Sequence, residues 1–247
     1  MATARGAEGR GATGMSEDYR KALHQEIDLI AADLVQLGEM AGETITRATA
    51  AFLDLDEDAV EETVEALVVA DDDVDALAVD IEERCIRCLA LQSPMASDLR
   101  MVVSSLKINA AVERCADLMV NVATSTRRLR SATLTPRLRG LVQRMADEAA
   151  RLLRLAMDAY ALRNGALGAA LDDMDDRLDV LQGELIQAIF EAHAAGCSDL
   201  QAAVQLAVVA RYYERVGDQA VNIGERVEFV AGAGRAGSGS STASPGS

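Results

Sequence analysis

The sequence predicts an all-α protein built as a tandem pair of long three-helix bundles. Three observations carry that expectation. Apolar residues recur at helical spacing over stretches of about 30 residues. The composition is 50% apolar but only 3% aromatic, with no Trp and three prolines, a balance suited to helices packed through small aliphatic side chains. The second half of the chain also repeats residues of the first at fixed offsets.

Six helices follow in order. The first is expected over about residues 18–53, ending in the acidic turn "DLDED". The second, over about 58–91, stops before Ser93-Pro94, because a residue preceding proline avoids the helical region. The third spans about 96–130. "SATLTP" then breaks the chain, with Thr135 as N-cap and Pro136 at the first helical position of a fourth helix over about 136–163. Asn164-Gly165 serves as its C-terminal stop. The fifth runs to about Ala194 and ends at Gly196. In the sixth, "SDLQ" gives Ser198 and Gln201 capping-box spacing, and the helix continues to about Val230.

The repeat is readable position by position. An offset of 101 lays Ser97-Asp98-Leu99 on Ser198-Asp199-Leu200, Glu113-Arg114 on Glu214-Arg215, Asp117 on Asp218 and Asn121 on Asn222. An offset of 104 lays Asp71, Asp75, Leu77 and Ile81 on Asp175, Asp179, Leu181 and Leu185. A duplicated three-helix unit with a shorter loop in the second copy explains both offsets, and helices of this length span roughly 45 Å. The chain divides into an extension 1–15 expected to be disordered, a first repeat 16–131, a second repeat 132–231, and a disordered Gly/Ser tail 232–247. Met15 is a candidate start alongside Met1.

Charge and motifs exclude several functions. A formal charge of -16 repels phosphate backbones, and no Lys/Arg stripe overrides it, so nucleic acid is not an expected partner. The first residues lack the apolar stretch of a secretory signal, and no run is long enough for a membrane span, so a cytoplasmic protein is expected. Cys85 and Cys88 form a C-x-x-C inside a helical pattern without a matching second pair. With Cys115 and Cys197 they read as buried free thiols. Neither His24 nor His193 sits in a Glu-x-x-His motif, and no phosphate loop or serine elbow is present, so a non-enzyme is expected.

What remains unusual is a set of carboxylates at apolar helix positions. In the third helix one heptad row contains Leu99, Leu106, Glu113 and Val120, and its companion contains Val103, Ala110, Asp117 and Thr124, which puts both acids in the packing seam. Glu214 and Asp218 occupy the matching rows of the sixth helix. A spacing of four sets each pair on one face, about 5–6 Å apart at Cβ. Asp71 with Asp75, and Asp175 with Asp179, repeat that spacing on the second and fifth helices. Packed together, each half gathers four acids. They could be neutralised by Arg84, Arg100, Lys107, Arg114, Arg177, Arg211 and Arg215, be protonated through desolvation, or bind a hard cation such as Mg, Mn, Ca or oxidised iron.

"SPMASDLRMVVSSLKINAAVERCADLMVNVA" and "RYYERVGDQAVNIGERVEF", with "DDDVDALAVDIEE" and "DDRLDVLQGEL", resemble the PhoU family of bacterial phosphate-signalling proteins over about residues 18–230. The resemblance implies a tandem pair of three-helix bundles whose Glu/Asp-x-x-x-Asp motifs bind multinuclear metal clusters, iron among them, with zinc, manganese or magnesium as alternatives. The implied ligands fall on Asp71, Asp75, Glu113, Asp117, Asp175, Asp179, Glu214 and Asp218. The first box departs from the family pattern with Cys115 and Ala116, where Cys115 is either a soft ligand or a packing residue. The implied function is non-catalytic: a cytoplasmic negative regulator of phosphate uptake and phosphate-starvation signalling. It would act as an adaptor between the cytoplasmic subunits of the phosphate ABC transporter and the sensor histidine kinase, reach the membrane only through those partners, and form a homodimer. A carboxylate-bridged metal enzyme and a passive helical scaffold are the alternatives.

Overall fold

A computed structural model describes residues 8–53, 57–129 and 134–238. All six expected helices form: α1 (Glu8–Leu53), α2 (Glu57–Gln92), α3 (Ser97–Ser125), α4 (Pro136–Ala161), α5 (Gly165–Ala194) and α6 (Leu200–Ser238). No strand occurs among the described residues. A short 3-10 turn, Thr126–Arg128, extends α3. Helical backbone begins at Glu8 and reaches Ser238, so α1 and α6 run into both segments expected to be disordered; residues 1–7 and 239–247 lie outside the described part.

The helix ends follow local chemistry. Ser93 and Ala96 adopt left-handed φ values of 41° and 50°, and the chain turns between α2 and α3 around Pro94. Thr135 caps α4 by accepting the Leu138 N–H at 3.3 Å, with Pro136 in the first turn where its missing N–H is harmless. Two expected punctuation residues act differently. Asn164 caps the start of α5 by accepting the Leu167 N–H at 3.2 Å, while the stop of α4 falls one residue earlier, at Arg163 with φ 50°. There the Arg163 N–H donates to Tyr160 O and the Asn164 N–H to Ala159 O, the paired bonds that close a helix through a left-handed residue. At α6, Asp199 rather than Ser198 is the cap, its carboxylate accepting the Ala202 N–H at 2.7 Å.

Packing fuses the two three-helix units. Helices α1, α3, α6 and α4 contact one another in a ring, with α2 packed outside α1 and α3, and α5 outside α4 and α6. Two buried tyrosines cross that ring. Tyr213 on α6 meets Thr49 Oγ1 on α1 at 2.7 Å, and Tyr160 on α4 meets Ser105 Oγ on α3 at 3.0 Å. The core is made of small and medium aliphatics such as Leu34, Ile45, Ile108, Val112, Leu152 and Val209. Because α2 and α5 pack outside the ring, the α2/α3 and α5/α6 pairs each leave a groove open to solvent.

Small residues set how close those outer pairs come. Gly168 on α5 and Gly224 on α6 face each other across the second pair, where a Cβ added to Gly224 would lie 2.5 Å from the Gly168 carbonyl oxygen. The repeat offsets place Val64 and Ala123 at these positions in the first pair. Cys85, Cys88 and Cys115 are buried as expected, but Cys197 is exposed, because it lies in the turn just after Gly196.

Candidate metal centre

Antiparallel packing of α2 on α3 brings Asp71 and Asp75 alongside Glu113 and Asp117. The Asn109 side-chain amide donates to the Ala78 carbonyl at 2.8 Å and pins the two helices one turn from the acids. Asp175 and Asp179 on α5 meet Glu214 and Asp218 on α6 in the same way. Burial follows a shared pattern: Asp71 and Asp175 are half-buried, Asp75 and Asp179 are exposed, and the deepest of the eight is Glu214, at 8% exposure.

The expectation that these acids lie in the packing seam is corrected. Leu99 and Val103 are 42% and 38% exposed, and in α6 Leu200 and Val204 are 67% and 49% exposed. The buried face of α3 instead carries Val102, Ser105, Asn109, Val112, Ala116 and Met119. With Ala and Ser so frequent, neighbouring heptad rows score alike for apolarity, and the sequence alone set the seam a fraction of a turn away from its true position. The acids therefore border solvent-facing grooves, with only Glu214 turned well inward.

Those grooves are electrostatically strained. Burial, together with Asp75, Asp117 and Asp72, pushes the Asp71 carboxyl up to about 6, and burial with Asp179, Asp218, Glu214 and Asp172 does the same to Asp175. Glu113 is raised by desolvation and then by Asp117, Asp75 and Asp71, against Arg114. Glu214 is raised by desolvation and Asp218, against Arg211. Each set of four thus behaves as one mutually repelling group. Asp71 Oδ1, Asp175 Oδ1 and Glu214 Oε2 are buried without a hydrogen-bond partner. An orphaned, desolvated carboxylate oxygen is costly unless a cation completes it.

Neutralisation by arginine is only partial. Arg114 reaches Asp117 at 3.4 Å, and Arg211 pairs with Glu214. Arg84 is committed elsewhere, to Glu26, Asp33 and Asp80, and Arg177 to the buried Glu148. Among the described residues, Arg100, Lys107 and Arg215 form no ion pair with the eight acids. The first groove, of about 560 Å³, is lined by Asp75, Glu82, Asn109 and Glu113; the second, of about 480 Å³, by Asp175, Asp218, Arg211 and Arg215. In this arrangement no three His, Cys, Asp or Glu side chains among the described residues converge on one point. The donors fit a hard cation in chemistry and charge. Cys115 packs: it is fully buried and its thiol is pushed up to about 12, chiefly by burial. His24 lies beside Asp98 and His193 beside the Ser198 carbonyl, away from both grooves.

Sequence reasoning missed one positioning residue. Gly217 lies against Asp175, and a Cβ there would collide with Asp175 Oδ1 and Leu178, so the glycine lets this carboxylate press against α6. Its counterpart in the first repeat is Ala116. The Glu-Arg-x-Gly-Asp spelling was the available signal.

The PhoU domain matches this chain twice, over residues 34–126 and 142–227. The chain belongs to the PhoU family. A Mycobacterium bovis relative, the phosphate-specific transport system accessory protein PhoU homolog 1, is 31% identical over 213 residues, covering 85% of this chain and 93% of its own. A Caulobacter vibrioides homolog of the same description is 27% identical over 215 residues, covering 87% and 92%. The crystal structure of the phosphate transport system regulatory protein PhoU from Streptococcus pneumoniae superposes with a TM-score of 0.75 at 24% identity, over 84% of this chain and 96% of that one. PhoU from Pseudomonas aeruginosa gives the same score and identity over 84% and 97%. These two structures share the fold. Both PhoU domains span the carboxylates of their repeat. Among the described residues, no helix is long and apolar enough to cross a membrane.

Proposed function

We propose that this PhoU-family chain is a non-catalytic, cytoplasmic negative regulator of phosphate uptake and phosphate-starvation signalling. It acts as an adaptor between the cytoplasmic subunits of a phosphate ABC transporter and a sensor histidine kinase. The observation that carries the reading is the near full-length match to phosphate-transport accessory proteins, with both copies of the domain present. A homodimer is the expected assembly. The large negative charge of the chain suits docking to basic faces of membrane-bound partners.

Metal at the two carboxylate groups is the second part of the proposal. Asp71, Asp75, Glu113 and Asp117 would hold one site, and Asp175, Asp179, Glu214 and Asp218 the other, each as a multinuclear centre of iron or of zinc, manganese or magnesium. The orphaned oxygens of Asp71, Asp175 and Glu214 support this. A bound cluster would supply positive charge that offsets carboxylate repulsion and fixes the α2/α3 and α5/α6 surfaces for recognition. Elemental analysis of purified protein, combined with mild crosslinking in cells, tests both parts. Metal lost on combining Glu113→Gln with Asp117→Asn and Glu214→Gln with Asp218→Asn, and crosslinks to the transporter or kinase, are expected. Metal-free protein contradicts the site assignment, and no crosslink to either partner contradicts the adaptor.

A further inference from the structure

Each carboxylate groove continues into an apolar half. On α3, Leu106, Ala110 and Glu113 line the first groove, and their helical row runs on to Val103 and Leu99, both exposed. On α2, Asp75, Val79 and Glu82 line it, and their row runs on to the exposed Ile86. The Asn109 bond to the Ala78 carbonyl sets the register of this antiparallel pair. Eight residues on from Ala78 and eight back from Asn109, Ile86 lies level with Met101, between Leu99 and Val103. The second groove repeats the arrangement. Fifteen residues on from Asp175 and fifteen back from Gly217, which touch, Phe190 lies level with Ala202, between the exposed Leu200 and Val204. The repeat offsets lay Phe190, Leu200 and Val204 on Ile86, Leu99 and Val103.

We infer that each groove docks a basic amphipathic helix of a partner protein, its apolar residues on the Ile86, Leu99 and Val103 end, or on Phe190, Leu200 and Val204, and its Lys or Arg residues over the acidic end. This rests on the adaptor reading above and specifies the chemistry the adaptor recognises. Charge selects the occupant. Besides the eight acids, Asp72 and Asp73 on α2, and Asp172, Asp173 and Asp176 on α5, are exposed and form no ion pair among the described residues. They remain for a partner's cations when the eight are occupied by metal. A second copy of this chain, at a formal charge of -16, would meet these grooves with like charge, and an anionic lipid surface would be repelled in the same way. From Asp71 to Ile86 the groove runs about 22 Å, so a helix of about 15 residues spans it. Apolar contact along one helix face supplies the affinity, and the charged half fixes the direction in which the segment lies.

Calorimetric titration of the full chain with a synthetic helical peptide of about 18 residues tests this, in chelator and at about 0.15 M salt to screen diffuse attraction. One face of the peptide carries Leu in its first half and Lys in its second. Two peptides should bind per chain. Leu99→Ser with Val103→Ser should remove one of them, and Leu200→Ser with Val204→Ser the other. These positions are exposed, and unchanged helical circular dichroism confirms folding. Exchanging the peptide's Leu for Ser, or its Lys for Glu, should weaken binding by about tenfold or more. Binding that survives loss of the peptide's Leu residues, a stoichiometry unaltered in both groove variants, or no binding at all overturns the inference. Crosslinking in cells separates it from the adaptor reading. Partner crosslinks that persist when both pairs of substitutions are combined overturn the groove assignment alone, and their absence from wild type overturns the adaptor and the inference with it.

Discussion

Replacing Asp175 with Asn removes a carboxylate that the fold opposes. Its carboxyl stands at about 6 against an ordinary 3.8, so the folded state holds a proton more tightly than the unfolded chain. For an acid shifted in this direction, the penalty on folding is full above the folded value. It fades as pH falls through that value and is gone below the unfolded one. Taken unscreened, the shift corresponds to about 3 kcal/mol at neutral pH. Asp175 is only half-buried, and solvent screening reduces the expected gain to about 1 kcal/mol. A domain of this size should then unfold about 2–4 °C higher. Thermal unfolding followed by circular dichroism in chelator, at about pH 7.5 and again at about pH 4.5, checks the magnitude and the sign. The gain should shrink by more than half at the lower pH, where the wild-type carboxyl is already protonated when folded. Adding Mn²⁺ should reverse the ranking at the higher pH, because binding to the native state stabilises wild type more. A variant that is less stable in chelator, or equally affected at both pH values, would refute the repulsion argument.

Four further perturbations probe the helix ring, the outer helix pair and the carboxylates. Tyr213→Phe should lower stability by about 1 kcal/mol in urea unfolding, because Thr49 already donates to the Ile45 carbonyl and its oxygen would lose the tyrosine O–H. Gly224→Ala should destabilise by about 1–3 kcal/mol through its collision with the Gly168 carbonyl, whereas Gly183→Ala, in an α5 position with open space around it, should stabilise by about 0.5–1 kcal/mol. Metal affinity measured across pH should fall between about pH 7 and 5, since protons compete for Asp71 and Asp175, both held at about 6.

Much of the fold was legible because the signals are local. Thr135-Pro136 and Gly196 have fixed backbone consequences, and both mark helix ends where expected. Asn164 and Asp199 were harder, since Asn serves equally as a stop or a cap and Ser198 competes with Asp199 for the same role. Grouping of the eight acids followed from i,i+4 spacing and the repeat. Their depth did not, because apolarity is spread over too much of α3 and α6 to fix the buried face. The long-range pairings were unreadable: Arg84 with Glu26 and Asp33, Arg177 with Glu148, and the contact of Gly217 with Asp175 all depend on how helices cross.

Phosphate uptake in a strain whose single copy of this gene is replaced tests the central claim most directly. The replacement should carry Glu113→Gln, Asp117→Asn, Glu214→Gln and Asp218→Asn together, with helical circular dichroism of the purified protein matching wild type. If the carboxylate groups create the regulatory surface, uptake in phosphate-rich medium should remain unrestrained and phosphate-responsive genes should stay expressed, as in a full deletion. Normal repression and normal uptake by the folded quadruple variant would contradict it.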